Sequence, residues 1–147
     1  MTFYCTPEDI ELQISKASLI QLSNDDCTQQ TVDSVVCEEA ILYSSTLIDG
    51  YLRGKYTLPL NSHFPLLRVI AIDLSIYRLY SRRIYTEIPE TISAAYKNAI
   101  KTLEDLKKGI ITLQTEEENN VLSSGEYRTN KTELDRLFNK RVMNFEY

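Results

Sequence analysis

The sequence predicts an all-α fold: a compact bundle of about four helices with an extended polar C-terminal tail. Three observations carry that expectation. Apolar residues recur at three- and four-residue spacing along most of the chain up to Leu113, proline and glycine stand where such runs begin and end, and the composition turns polar afterwards. The division expected is a helical core over residues 1–113 and a tail over residues 114–147.

Thr6-Pro7-Glu8-Asp9 reads as the first helix start, with Thr6 as N-cap, Pro7 in the first helical position and two acids at the positive end of the helix dipole. Ile10 and Ile14 then share a face, so this helix is short. Ser18 to Leu22 is an ambiguous apolar–polar alternation, closed by the loop Ser23-Asn24-Asp25-Asp26.

From Val32 the helical signal is strongest: Val32, Val36, Ala40, Tyr43, Leu47 and Tyr51 define a stripe, flanked by Val35, Leu42, Ile48 and Leu52. This helix should run about six turns and end near Gly54, before Leu58, which Pro59 biases towards extended backbone. Asn61-Ser62-His63-Phe64 leads to Pro65 and a third helix, whose stripe is Leu67, Ile70, Ala71, Leu74 and Tyr77, helped by Leu66 and Ile76.

Tyr85 to Pro89 is a connection, and Pro89-Glu90 starts a fourth helix through Ile92, Ala95, Tyr96, Ala99, Leu103 and Leu106. Lys107, Lys108 and Gly109 close it with dipole-matching cations and a C-terminal glycine. After Ile110-Ile111-Thr112-Leu113 come Glu116-Glu117-Glu118-Asn119-Asn120 and Ser123-Ser124-Gly125, which is linker chemistry. Leu134, Leu137, Phe138, Val142, Met143, Phe145 and Tyr147 then put apolar side chains near the terminus, where they need something to pack on.

With 147 residues, 43% hydrophobic and 25% charged, the chain has the composition of one globular domain. Its net charge of −5 argues against a protein built to grip a phosphate backbone. Arg78, Arg82 and Arg83, and Lys97, Lys101, Lys107 and Lys108, read as solvated helix faces. The N-terminus lacks a secretory signal, so the expected site of synthesis is the cytosol. Leu66 to Tyr80 is interrupted by charges and falls short of the ~20 residues of a membrane span. Cys5, Cys27 and Cys37 suggest neither a disulfide framework nor a zinc site.

No catalytic residue stands out, and no cofactor or metal is expected. His63 lies in a loop without a nucleophile motif, the acid pairs lack calcium-loop spacing, and glycine-rich phosphate cradles are missing. Four residues are expected at a helix crossing. Gly50, costly inside a helix, suggests that another helix passes closely, with a hinge as the alternative. Asp49 and Arg53 have the favourable four-residue spacing for an ion pair. Asp73, set among apolar residues, would be neutralised by Arg53 or Arg78.

The run Ala40 to Leu60, with Ile48-Asp49-Gly50-Tyr51-Leu52-Arg53 and Lys55-Tyr56-Thr57-Leu58-Pro59-Leu60, resembles the signature of a Mu-like phage family of head-to-tail joining proteins. Ile70-Ala71-Ile72-Asp73-Leu74-Ser75-Ile76-Tyr77-Arg78-Leu79-Tyr80 is similar to its second helix motif, and Tyr96-Lys97-Asn98-Ala99-Ile100 with Leu103 and Gly109 to its third. Tyr4, Thr6-Pro7-Glu8-Asp9-Ile10 and, more weakly, Phe138-Asn139-Lys140-Arg141-Val142-Met143 also fit, while Lys55 departs from an expected arginine. The resemblance covers about residues 3–113.

It implies an adaptor without enzyme activity, made in the host bacterial cytoplasm and placed in the virion neck. There it would form a ring between the portal protein and the next neck or tail protein, with no membrane involved. A ring of about a dozen copies would carry roughly −60 charge at −5 each, and an acidic lumen would let DNA pass without sequence-specific binding. An aromatic-tipped tail suits docking on a neighbour, so Phe138, Arg141, Met143, Phe145 and Tyr147 are expected to contact the portal or another subunit. The rival reading is a small helical DNA-binding regulator, which would need a basic recognition face that Leu66 to Tyr80 does not show.

Overall fold

Start signals and burial together set the helices in the structure, a computed structural model describing residues 3–26, 28–60, 64–83 and 87–113. Among these residues the order is α1 (Pro7–Gln13), α2 (Lys16–Ser23), α3 (Ser34–Leu52), α4 (Pro65–Ser81) and α5 (Glu90–Lys108), with no strand. The all-helical expectation holds, with one helix more than about four.

Pro7 opens α1, and the Asp9 carboxylate accepts the Thr6 N–H at 2.9 Å, satisfying a donor that the first turn leaves free. The additional helix is α2, where Ser18 to Leu22 left the pattern ambiguous. Ser15 caps it by accepting the Ser18 N–H at 3.3 Å, and Leu19 and Leu22 are buried. Eight residues give too short a window for periodicity to separate helix from strand; tertiary burial settles it.

The α3 start is Asp33, whose carboxylate accepts N–H bonds from Val35 at 3.0 Å and Val36 at 3.3 Å. Its buried face is rotated from the expected stripe. Cys37, Ala40, Ile41, Ser44, Ser45, Ile48 and Leu52 point inward, whereas Leu47 and Tyr51 are half-buried and Tyr43 is exposed. Two serines explain the rotation, because a polar small residue counts against burial in a sequence pattern but lets helices approach. Ser44 donates to the Ile41 carbonyl at 2.8 Å, and Ser75 Oγ of α4 lies 2.9 Å from Ser44 Oγ and 2.7 Å from the Ala71 carbonyl. The buried hydroxyls are thereby satisfied at the α3–α4 crossing.

Leu67, Ile70, Ala71 and Leu74 of α4 are buried as expected; Tyr77 is half-buried and Leu66 is exposed. α5 rests on α3 and α4 through Ala99, Leu103 and Leu106, while α1 and α2 brace both of those helices. Gly109, at φ 80°, takes the left-handed conformation that closes α5, and the Ile110 N–H reaches back to the Asp105 carbonyl at 2.9 Å. Gly54 does not take that role: the N–H groups of Lys55 and Tyr56 both bond to the Leu52 carbonyl at 2.9 Å. Leu113 is buried and donates its N–H to the Tyr56 hydroxyl at 3.0 Å, fastening the segment after α5 to the one after α3.

Candidate functional site

Reactive groups are sparse among the described residues. No group of three or more His, Cys, Asp or Glu side chains there is placed to hold a metal ion. His63 and Cys27 lie outside the described residues, as do the expected docking residues Phe138, Arg141, Met143, Phe145 and Tyr147. Cys5 and Cys37 are buried thiols, and burial pushes Cys5 up to about 11, which leaves it protonated and a poor nucleophile at neutral pH.

The arginine cluster at the end of α4 is structural. Arg82 donates to the carbonyls of Leu22 at 3.4 Å and Ser23 at 3.1 Å and to Asp25 at 2.8 Å, while Arg83 donates to the Asn24 carbonyl. Both therefore satisfy the carbonyl end of α2, where cations also meet the negative helix dipole. Arg78 lies over the Tyr43 ring, 4.9 Å from its centroid. Arg68 pairs with the nearly buried Asp9, and that bond holds the Asp9 carboxyl below the ordinary carboxylate range.

The residues expected at the helix crossing do different things. Asp49 accepts the Tyr4 hydroxyl at 2.5 Å, and burial followed by this bond raises the Tyr4 pKa. Asp49 makes no salt bridge with Arg53. A Cβ on Gly50 would meet nothing within 4 Å, so no helix crosses closely there. Asp73 pairs with neither Arg53 nor Arg78, because Arg78 is turned towards Tyr43 and Arg53 caps the far end of α3.

Two surface features remain. Tyr43, Thr46, Leu47, Gly50, Tyr51 and Lys107 line an open hollow on α3 and the end of α5, with Lys107 6.0 Å from the Tyr51 ring centroid. Beside it Tyr77 and Tyr96 stack at 4.0 Å, and burial with the neighbouring Tyr43, Tyr77 and Tyr51 raises the Tyr96 pKa. In the sequence Tyr43, Tyr51, Tyr77 and Tyr96 were legible only as members of separate helix stripes, since rings from three helices meet only once the bundle forms.

The second feature is a cavity of about 390 Å³ joining the end of α1 to the start of α5. Ile14, Ile76, Ile92 and Ala95 form apolar walls, and Gln13, Tyr80 and Thr91 add polar groups around Asp73. Burial raises the Asp73 pKa, as expected for a carboxylate losing water without gaining a cation. Such an arrangement suits reception of a positively charged side chain better than bond-breaking chemistry.

A family model described as "Bacteriophage Mu, Gp36" matches residues 4–131. A relative described as "Gene product J", from Escherichia phage Mu, is 26% identical over 106 residues, covering 72% of each chain. The chain belongs to the bacteriophage Mu Gp36 family.

Proposed function

From that membership, we propose that the chain is a structural virion protein of a tailed phage or phage-like particle, a head-tail connector. In this reading, copies form a ring between the portal protein and the next neck or tail protein, in the virion neck, and DNA passes through the lumen. The observation that carries it is the family match across residues 4–131.

The chemistry supports a role in assembly rather than catalysis. Among the described residues the Ser44 and Ser75 hydroxyls and the Cys5 and Cys37 thiols are buried in the packing of the helices, and Arg82 and Arg83 hold the end of α2. The net charge of −5 favours a lumen to which DNA does not adhere. Among the described residues, no helix is long and apolar enough to cross a membrane. Within this proposal Phe138, Arg141, Met143, Phe145 and Tyr147 dock on the portal or a neighbouring subunit.

Light scattering on the purified chain, alone and mixed with its portal neighbour, tests the reading with full-length protein and a chain ending near Asn130. Portal-dependent assembly that needs the tail is the expected result. A monomer indifferent to the portal refutes it.

A further inference from the structure

Asp73 is half-buried in its cavity with no cation among the described residues that pairs with it. The walls suit a guanidinium: the carboxylate accepts its N–H groups, Tyr80 and Thr91 offer further oxygens, and Ile14, Ile76 and Ile92 receive the aliphatic stem.

The described arginines narrow the choice of donor. Arg68 is paired with Asp9, Arg78 lies on Tyr43, and Arg82 and Arg83 hold the end of α2. Arg53, exposed at the C-cap of α3, is left without such a partner among the described residues. Within one chain it makes no ion pair with Asp73: Arg53 stands just past the end of α3, whereas Asp73 is the middle residue of α4.

We propose that the Asp73 cavity receives the Arg53 side chain of a second copy of this chain. Repeated in one direction from copy to copy, such a contact is heterologous, the class that closes into rings when the rotation permits. The proposal rests on the connector reading only in taking self-association as the protein's working state. Charge complementarity argues for the occupant: a carboxylate facing the cavity with no cation beside it and, at the C-cap of α3, an exposed guanidinium with no ion pair among the described residues.

The test uses full chains carrying Asp73→Asn or Arg53→Gln, with self-association measured by light scattering and sedimentation. Each variant should associate on the order of tenfold to a hundredfold more weakly than the parent chain. Mixed together, they retain one intact Arg53 and one intact Asp73 per pair, so 1:1 heterodimers should form at concentrations where neither variant associates alone. Asp73→Asn should melt no lower than the parent as a monomer, because it removes an uncompensated buried charge; a purely internal role for Asp73 would lower the melting temperature. Arg53→Gln, at an exposed site, tests the contact even where the other variant folds poorly.

Variants that assemble like the parent, a mixture no more associated than its parts, or a parent chain that stays monomeric with and without the portal overturn the proposal. Portal-dependent assembly that ignores both substitutions removes this contact and leaves the connector reading standing. Self-association through the pair with no response to the portal does the reverse.

Discussion

Gly50 lies inside α3, exposed and without a positive φ, and a Cβ built there meets nothing within 4 Å. Gly50→Ala should therefore stabilise the isolated chain, because alanine restricts the unfolded backbone and has the higher helix propensity without any native clash. The full difference is about 0.5–1 kcal/mol for a helix interior. Since α3 ends at Leu52, the lower half of that range is the better expectation. For a domain of this size the gain corresponds to roughly 2–4 °C in Tm. Thermal and urea melts followed by circular dichroism at a concentration where the chain is monomeric would measure it. A lower midpoint for Gly50→Ala would mean that backbone from another element approaches α3, and would refute the reasoning from open space.

Asp33→Ala removes the carboxylate that accepts the Val35 and Val36 N–H groups, and should cost about 1 kcal/mol in urea-derived stability. Two carboxylates should give pH dependences of opposite sign. Arg68 holds the Asp9 pKa below its ordinary 3.8, so this pair stabilises the native state above that pH, and the contribution is lost as pH falls through the lowered native value. Arg68→Gln should flatten the acid limb of a plot of urea midpoint against pH; an unchanged limb would remove the pair from the account. Burial raises the Asp73 pKa above 3.8, so its contribution falls as pH rises from there through the raised native value, and Asp73→Asn should abolish that loss in the monomer.

Helix identity was readable wherever a long apolar period met a start or stop signal. Pro65, Pro89-Glu90 and Gly109 stand at the observed boundaries because proline at a helix start and glycine past its end are local backbone requirements. Asp33 was missed as the cap of α3, although an acid just before an apolar period is the usual signal for one. α2 needed more than its own eight residues: Arg82 and Arg83, nearly sixty positions away, supply the hydrogen bonds at its end.

The site was legible only as residues of interest. Asp73 stood out as a charge among apolar neighbours, but within the described chain it pairs with neither Arg78, which is turned towards Tyr43, nor Arg53, which stands at the C-cap of α3; sequence spacing cannot tell which way such side chains turn. Gly50 stood out for its helix cost, yet whether anything packs against it is a property of other elements.

The sequence by itself determined that the chain is helical, where its three long helices lie, that its charge is acidic, and, through the order of its motifs, its family. These depend on backbone preference and hydrophobic period, which act over a few residues. The tertiary structure alone decided which face of α3 is buried, that Arg82 and Arg83 cap α2, and that Asp73 faces a cavity. Those outcomes follow from which surfaces meet, and contacts between residues thirty to sixty positions apart, such as Ser44 with Ser75 or Asp9 with Arg68, are set by packing the helices together rather than by any one segment.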